Sequence, residues 1–212
     1  MTGSNRNFGY FMLFMYASGV LAHLWPTVRP ATSQTTDLLL LVIGGGLLVA
    51  VWQRYAQPRF WVWVAIAYLL TFFAEVIGVA TGAVFGEYAY GPTMRVQLFA
   101  VPLVIALNWV VLILASNTLI NKLTTNPWAA ATGAGIFIAV YDYFIEPVAI
   151  KLDYWQWASG TDIPLQNYLA WAVIAILLSL PLYYFRIRFR HPLLLWYLGA
   201  QWVFFVLLNL TL

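Results

Sequence analysis

Residues 127–150, PWAAATGAGIFIAVYDYFIEPVAI, form an apolar run long enough to cross a membrane, yet Asp142 and Glu146 sit inside it. Four residues apart on a helix, the two acids share one face. A charged side chain near the centre of a membrane helix costs about 2.5–3.5 kcal/mol on insertion scales. Two on one stripe therefore require a protein-lined, partly wet cavity, or a proton on one of them. Pro147 follows Glu146 directly and removes a backbone donor, so a bend is expected, with the Tyr143 carbonyl left to find another partner.

The rest of the chain has the same character. Of 212 residues, 63% are hydrophobic and 8% charged, too apolar for a soluble domain. The expected fold is an all-α integral membrane protein, a bundle of about seven transmembrane helices forming a single polytopic domain over residues 1–212. The expected spans run from Phe8 to Trp25, from after Asp37 to Arg54, from behind Pro58 and Arg59 to Gly82, from Leu98 to Ile120, from Pro127 to Ile150, from Asn167 to Phe185 and from Leu193 to Leu210. The first run lacks a convincing small-residue cleavage site and reads as a retained span. Gly44, Gly45 and Gly46 permit close helix approach in the second.

Seven spans place Arg6, Arg54, Arg59, Lys122, Arg186, Arg188 and Arg190 on one side, against Arg29, Arg95 and Lys151 on the other. The positive-inside rule then sets the amino terminus inside and the carboxyl terminus outside a membrane of prokaryotic cytoplasmic type. The basic loops are orientation signals and imply no nucleic-acid partner. Without cysteine there is neither a disulfide framework nor a thiolate metal site. His23 and His191 lie far apart in the chain, so no metal site is expected, nor is there a glycine-rich nucleotide motif.

A third acid, Glu75, lies within the third span. Glu75 and Asp142 fall about seven and eight residues before the same ends of their helices, roughly 10–12 Å at 1.5 Å per residue. Asn108, in the fourth span, falls near that depth. The loops beyond carry Tyr88, Tyr90, Trp155 and Trp157, which alone would read as interfacial anchors. Beside buried acids they acquire a second use, because aromatic faces shelter a carbocation. Asn108 and Asn167 both donate and accept hydrogen bonds, which suits handling water as well as tying helices together.

The segments EVIGVATGAVFGEYAYGPTMRVQLFAVPLVIALNW (Glu75 to Trp109) and YDYFIEPVAIKLDYWQWASGTDIPLQNYLAW (Tyr141 to Trp171) resemble the two signatures of membrane-bound carotenoid 1,2-hydratases of the CruF type, the carotenoid biosynthesis protein family that includes bisanhydrobacterioruberin hydratase. The resemblance implies addition of water across the terminal C1=C2 bond of an acyclic carotenoid end, giving a tertiary alcohol. It further implies Asp142, Glu146 and Glu75 as catalytic candidates. Tyr88, Tyr90, Asn108, Trp109, Trp155, Trp157, Asn167 and Trp171 are the candidates for holding substrate. The reaction is redox-neutral, so no cofactor is expected. The implied partners are the carotenoid, water, the lipid bilayer and other enzymes of the pathway.

Proton delivery to C2 would leave a tertiary cation at C1 for water to capture, and any of the three acids would serve as donor. The same residues leave open a lycopene-cyclase-like reaction, in which an internal double bond captures the cation. They also leave open a carotenoid-binding or proton-carrying seven-helix protein without catalysis. A retinal protein is disfavoured, since Lys122 and Lys151 both lie outside the seventh span.

Overall fold

A computed structural model describes residues 3–212. Among them, seven long helices form the bundle: α1 (Gly3–Leu24), α3 (Thr36–Tyr55), α4 (Pro58–Thr81), α5 (Leu103–Ile120), α6 (Pro127–Lys151), α7 (Leu165–Tyr184) and α8 (Pro192–Thr211), with a short α2 (Arg29–Ser33) between the first two. The six from α3 to α8 without α1 and α2 are each long and apolar enough to cross a membrane. The remaining long helix, α1, begins with Ser4, Asn5, Arg6 and Asn7 and packs along α8.

The helix starts follow from local sequence. Proline opens α4, α6 and α8, where a missing N–H costs nothing. Asn126 caps α6 by accepting from the Ala129 N–H at 3.0 Å. At the other end of α4, Gly82 stops the helix in a left-handed conformation (φ 67°), with its N–H bonded to the Gly78 carbonyl at 2.8 Å. Helix α6 runs uninterrupted through Pro147 to Lys151. Beside that proline, Asn209 of α8 donates to the Phe144 carbonyl at 2.6 Å, so a neighbouring helix supplies a donor one residue from the expected vacancy.

Helix α5 is the core: 72% of it is buried, with α3, α4, α6, α7 and α8 packed around it. Helices α6 and α7 pack closely because Gly135 faces α7, where a Cβ would lie 2.6 Å from the Ala172 carbonyl. Gly44 and Gly46 likewise face Leu107 and Phe8, while Gly45 faces open space.

The fourth span starts later than its hydropathy suggests. Residues 97–102 form a small antiparallel hairpin, β2 (Gln97–Leu98) with β3 (Val101–Pro102), turned by Phe99 and Ala100 at φ 54° and 62°. Pro102 is consequently the residue before α5 instead of part of its first turn.

Two three-residue strands, β1 (Tyr88–Tyr90) and β4 (Trp155–Trp157), pair antiparallel across the bundle end where α4 and α6 finish. Their register sets Tyr88 opposite Trp157 and Tyr90 opposite Trp155. Gly91 lets the chains cross, since a Cβ there would sit 2.1 Å from the Asp153 carbonyl. This ribbon closes the site.

Candidate active site

Strand alternation determines what the ribbon presents. Side chains at i and i+2 share a face, so Tyr88, Tyr90, Trp155 and Trp157 point into the bundle, while Ala89 and Gln156 are exposed. The inward rings pack on one another, with centroids 5.2 Å apart for Tyr88 and Trp157 and 6.1 Å for Tyr90 and Trp155. Their polar tips reach down to the carboxyls.

Glu75 accepts three hydrogen bonds. Tyr88 and Tyr90 donate to Oε2 at 2.5 and 2.8 Å, and Trp109 Nε1 donates to Oε1 at 2.9 Å. Glu146 also accepts three: Trp155 and Trp157 donate to Oε2 at 2.9 and 2.8 Å, and Asn167 Nδ2 donates to Oε1 at 3.1 Å. The same Asn167 amide reaches Asp142 Oδ2 at 2.5 Å. Asp142 is 0% exposed, and its Oδ1 has no hydrogen-bond partner among the described residues. Burial, and after it the adjacent Glu75, pushes the Tyr88 and Tyr90 phenols well above their ordinary pKa, so both stay protonated.

These groups surround a cavity of about 400 Å³. Of the residues singled out from sequence, Glu75, Glu146, Tyr88, Tyr90, Asn108, Trp155, Trp157, Asn167 and Trp171 line it. Asp142 and Trp109 do not. Trp109 is stacked against Trp171 at 3.9 Å between centroids, and Asp142 lies behind Asn167. Away from the acids the lining mixes Ser18, His23, Thr32, Thr35 and Thr36 with apolar side chains of α1 and α3, and it reaches Phe11, Leu38 and Val42, which are 43%, 60% and 44% exposed. The cavity therefore joins the carboxyls to partly exposed side chains of α1 and α3.

The structure adds residues that sequence reasoning passed over. Tyr16 and Gln201 line the cavity, and Tyr141 and Tyr197 stand behind them in one hydrogen-bonded group. Gln201, an amide in the middle of an apolar run, is the available signal. Tyr154, at the start of the ribbon, bonds Thr36 at 2.9 Å, and burial pushes its phenol up to about 12.

Six helices long and apolar enough to cross a membrane, with acids and aromatic rings around one cavity, define the protein's class as an all-α membrane protein with an acid-bearing internal cavity. The family model for carotenoid biosynthesis protein matches residues 35–210, and the chain belongs to that family. A role in carotenoid biosynthesis follows. The match covers both acid-bearing helices and both strands of the ribbon and leaves out α1 and α2. Searches of curated proteins and of solved structures gave no match.

Proposed function

We propose that the protein is a carotenoid 1,2-hydratase, adding water to the terminal C1=C2 bond of an acyclic carotenoid end without a cofactor. One observation carries this reading: two carboxyls, Glu75 and Glu146, face a single aromatic cavity that reaches exposed apolar side chains of α1 and α3. An acyclic polyene dissolved in the bilayer enters sideways, and its end reaches the acids while the remaining chain stays among apolar residues. Upstream enzymes that build the polyene deliver it through the same bilayer. The basic end of the bundle faces the cytoplasm in this reading, and the ribbon faces outward.

The donors around each acid separate their roles. All three partners of Glu146 are N–H groups, and indole cannot accept a hydrogen bond. Neither indole could accept a proton from Glu146, and Asn167 turns its N–H towards it, so Glu146 works as the carboxylate. Phenol oxygens both donate and accept, so a proton on Glu75 can be held by Tyr88 or Tyr90. Glu75 protonates C2, and the π electrons form the new C–H bond and leave a cation at C1. Glu146 and the rings of Tyr88, Trp155 and Trp157 stabilise that charge, and water forms the C–O bond. The proton lost from the captured water passes to a carboxylate, which restores the starting state after transfer back to Glu75. Asp142 acts through Asn167 by fixing the amide that holds Glu146.

Expression in a host that accumulates lycopene tests the reading by pigment mass. Hydration adds one water per reacted end. A product of unchanged mass with a ring identifies cyclisation, and unchanged lycopene identifies a binding or proton-carrying role.

A further inference from the structure

The cavity has a second polar wall, remote in sequence from the acids, built around Gln201 of α8. Gln201 is 2% exposed, and its Nε2 donates to the Tyr16 and Tyr197 hydroxyls, each at 2.8 Å. Its Oε1 accepts from Tyr141. Because Gln201 donates to the Tyr197 oxygen, the Tyr197 hydrogen points elsewhere, and it is given to Asn108 Oδ1 at 2.5 Å. This fixes the Asn108 amide: its oxygen is turned towards Tyr197, and its Nδ2 is left to the cavity that Asn108 lines.

Asn117, about two and a half turns further along the same helix, shows what a purely structural asparagine looks like here. Its Nδ2 donates to the Ile113 carbonyl and to Ser179 Oγ, and its Oδ1 accepts from Tyr183, so nothing remains. Asn108 has a bonded oxygen, and the structure gives its Nδ2 no hydrogen-bond partner among the described residues. Four helices, α1, α5, α6 and α8, contribute to a chain of bonds whose direction ends in an N–H donor at the cavity wall. Helix cohesion would be served equally by an amide turned the other way.

We propose that Asn108 holds the water that captures the carbocation, and that Gln201 and Tyr197 position its amide for this task; the proposal rests on the hydratase reading. Asn108 Nδ2 donates to the water oxygen and occupies one lone pair. The other lone pair forms the C1–O bond, and the oxonium proton leaves to a cavity carboxylate, so alkene plus water balances as alcohol. The Asn108 group thus acts after protonation, the step that Glu75 performs.

That order gives a test that packing alone would not satisfy. Membranes containing the full chain are incubated with lycopene in D₂O, and hydrated product and deuterium in recovered lycopene are both measured by mass spectrometry. In Asn108→Leu and Gln201→Leu the cation still forms but lacks its water, and returns to alkene by losing a proton. Hydration is expected to fall about tenfold or more, the rate equivalent of roughly one well-placed hydrogen bond, while deuterium entry into recovered lycopene persists or rises. Tyr197→Phe keeps the ring and removes the hydroxyl that bonds both Asn108 and Gln201, so it should shift the same ratio even if a leucine variant fails to fold. Parallel loss of hydration and exchange in Tyr197→Phe, or an unchanged ratio in folded variants, overturns the proposal. A wild-type protein that exchanges deuterium but adds no water overturns both it and the hydratase reading, whereas normal wild-type hydration with an unchanged variant ratio removes only the water site.

Discussion

Glu75 and Glu146 are held in nearly the same way by unlike chemistry. Each lies near the end of a long helix, and each is met by two aromatic donors from a short strand that follows it, Tyr88 and Tyr90 for one and Trp155 and Trp157 for the other. The strands pair, so the two halves form one cover over one cavity. The difference lies in the tips. Phenols exchange protons and turn their hydrogen either way, whereas indoles donate in one fixed direction. A site that must release a proton from one carboxyl and keep negative charge on the other needs that asymmetry, and a purely structural cover does not.

The largest effect that sharpens this contrast is expected from Glu75→Gln. It preserves shape but removes the exchangeable proton, and hydration of an acyclic carotenoid should fall about 10²–10⁴-fold in membranes with normal protein content. In D₂O, deuterium entry into recovered substrate should fall with it, because no cation forms. Near-normal turnover would move the acid to the other half of the site. Glu146→Gln should also cost about 10²-fold or more, by removing the charge that faces the cation. Retained turnover there would end its assignment as the working carboxylate.

Asp142→Asn is expected to have a smaller effect, about tenfold, because Asp142 does not line the cavity and in the proposed mechanism acts through Asn167. Turnover and binding of the polyene, followed by its visible absorption in purified protein, separate the possibilities. A loss as large as that of Glu146→Gln would make the two acids a single catalytic unit instead of a carboxylate and its support.

How far these roles were legible in sequence differs between the helices and the ribbon. Apolar runs and basic loops were sufficient for the bundle, because the hydrocarbon leaves little alternative to helix. The four ribbon aromatics were conspicuous in their motifs, but pairing of residues 88–90 with 155–157 was not, since three-residue strands are too short to display a period. Spacing placed Asp142 and Glu146 on one face, yet only the rotation of α6 against α7 decides that Glu146 meets the cavity and Asp142 lies behind Asn167. The Leu98–Pro102 hairpin was read as helix because its residues are apolar, and its turn uses Phe99 and Ala100 where glycine or asparagine would have signalled it. Tyr16, Tyr141 and Tyr197 look like ordinary membrane aromatics until Gln201 is seen to join them.

Within the ribbon, single-donor removals compare the halves directly. Tyr88→Phe and Trp157→Phe each delete one hydrogen bond to a glutamate, and each should destabilise the site by roughly 0.5–1.5 kcal/mol or somewhat more where a buried acceptor is left short. Their kinetic signatures should differ. Tyr88→Phe disturbs the partner of the proton donor and should lower deuterium exchange and hydration together, whereas Trp157→Phe leaves proton delivery intact and should mainly lower hydration. Identical exchange-to-hydration ratios in the two variants would mean that phenol and indole serve only as packing.

The smallest effect is expected at Ala89, which lies between Tyr88 and Tyr90 and points away from the cavity. Ala89→Val suits an extended strand, touches neither carboxyl, and should change stability by no more than about 0.5 kcal/mol and turnover by about twofold. The variant matters because period-two alternation is what assigns both tyrosines to Glu75. A one-residue slip in register would turn residue 89 inward and both phenols outward. If Ala89→Val reduced hydration as severely as Tyr88→Phe, the ribbon could not present Tyr88 and Tyr90 together, and the contrast between a phenol-held and an indole-held acid would lose its structural basis. Unchanged turnover in Ala89→Val beside a clear loss in Tyr88→Phe ties the effect to the inward face, and from there to the proton held between phenol and carboxyl.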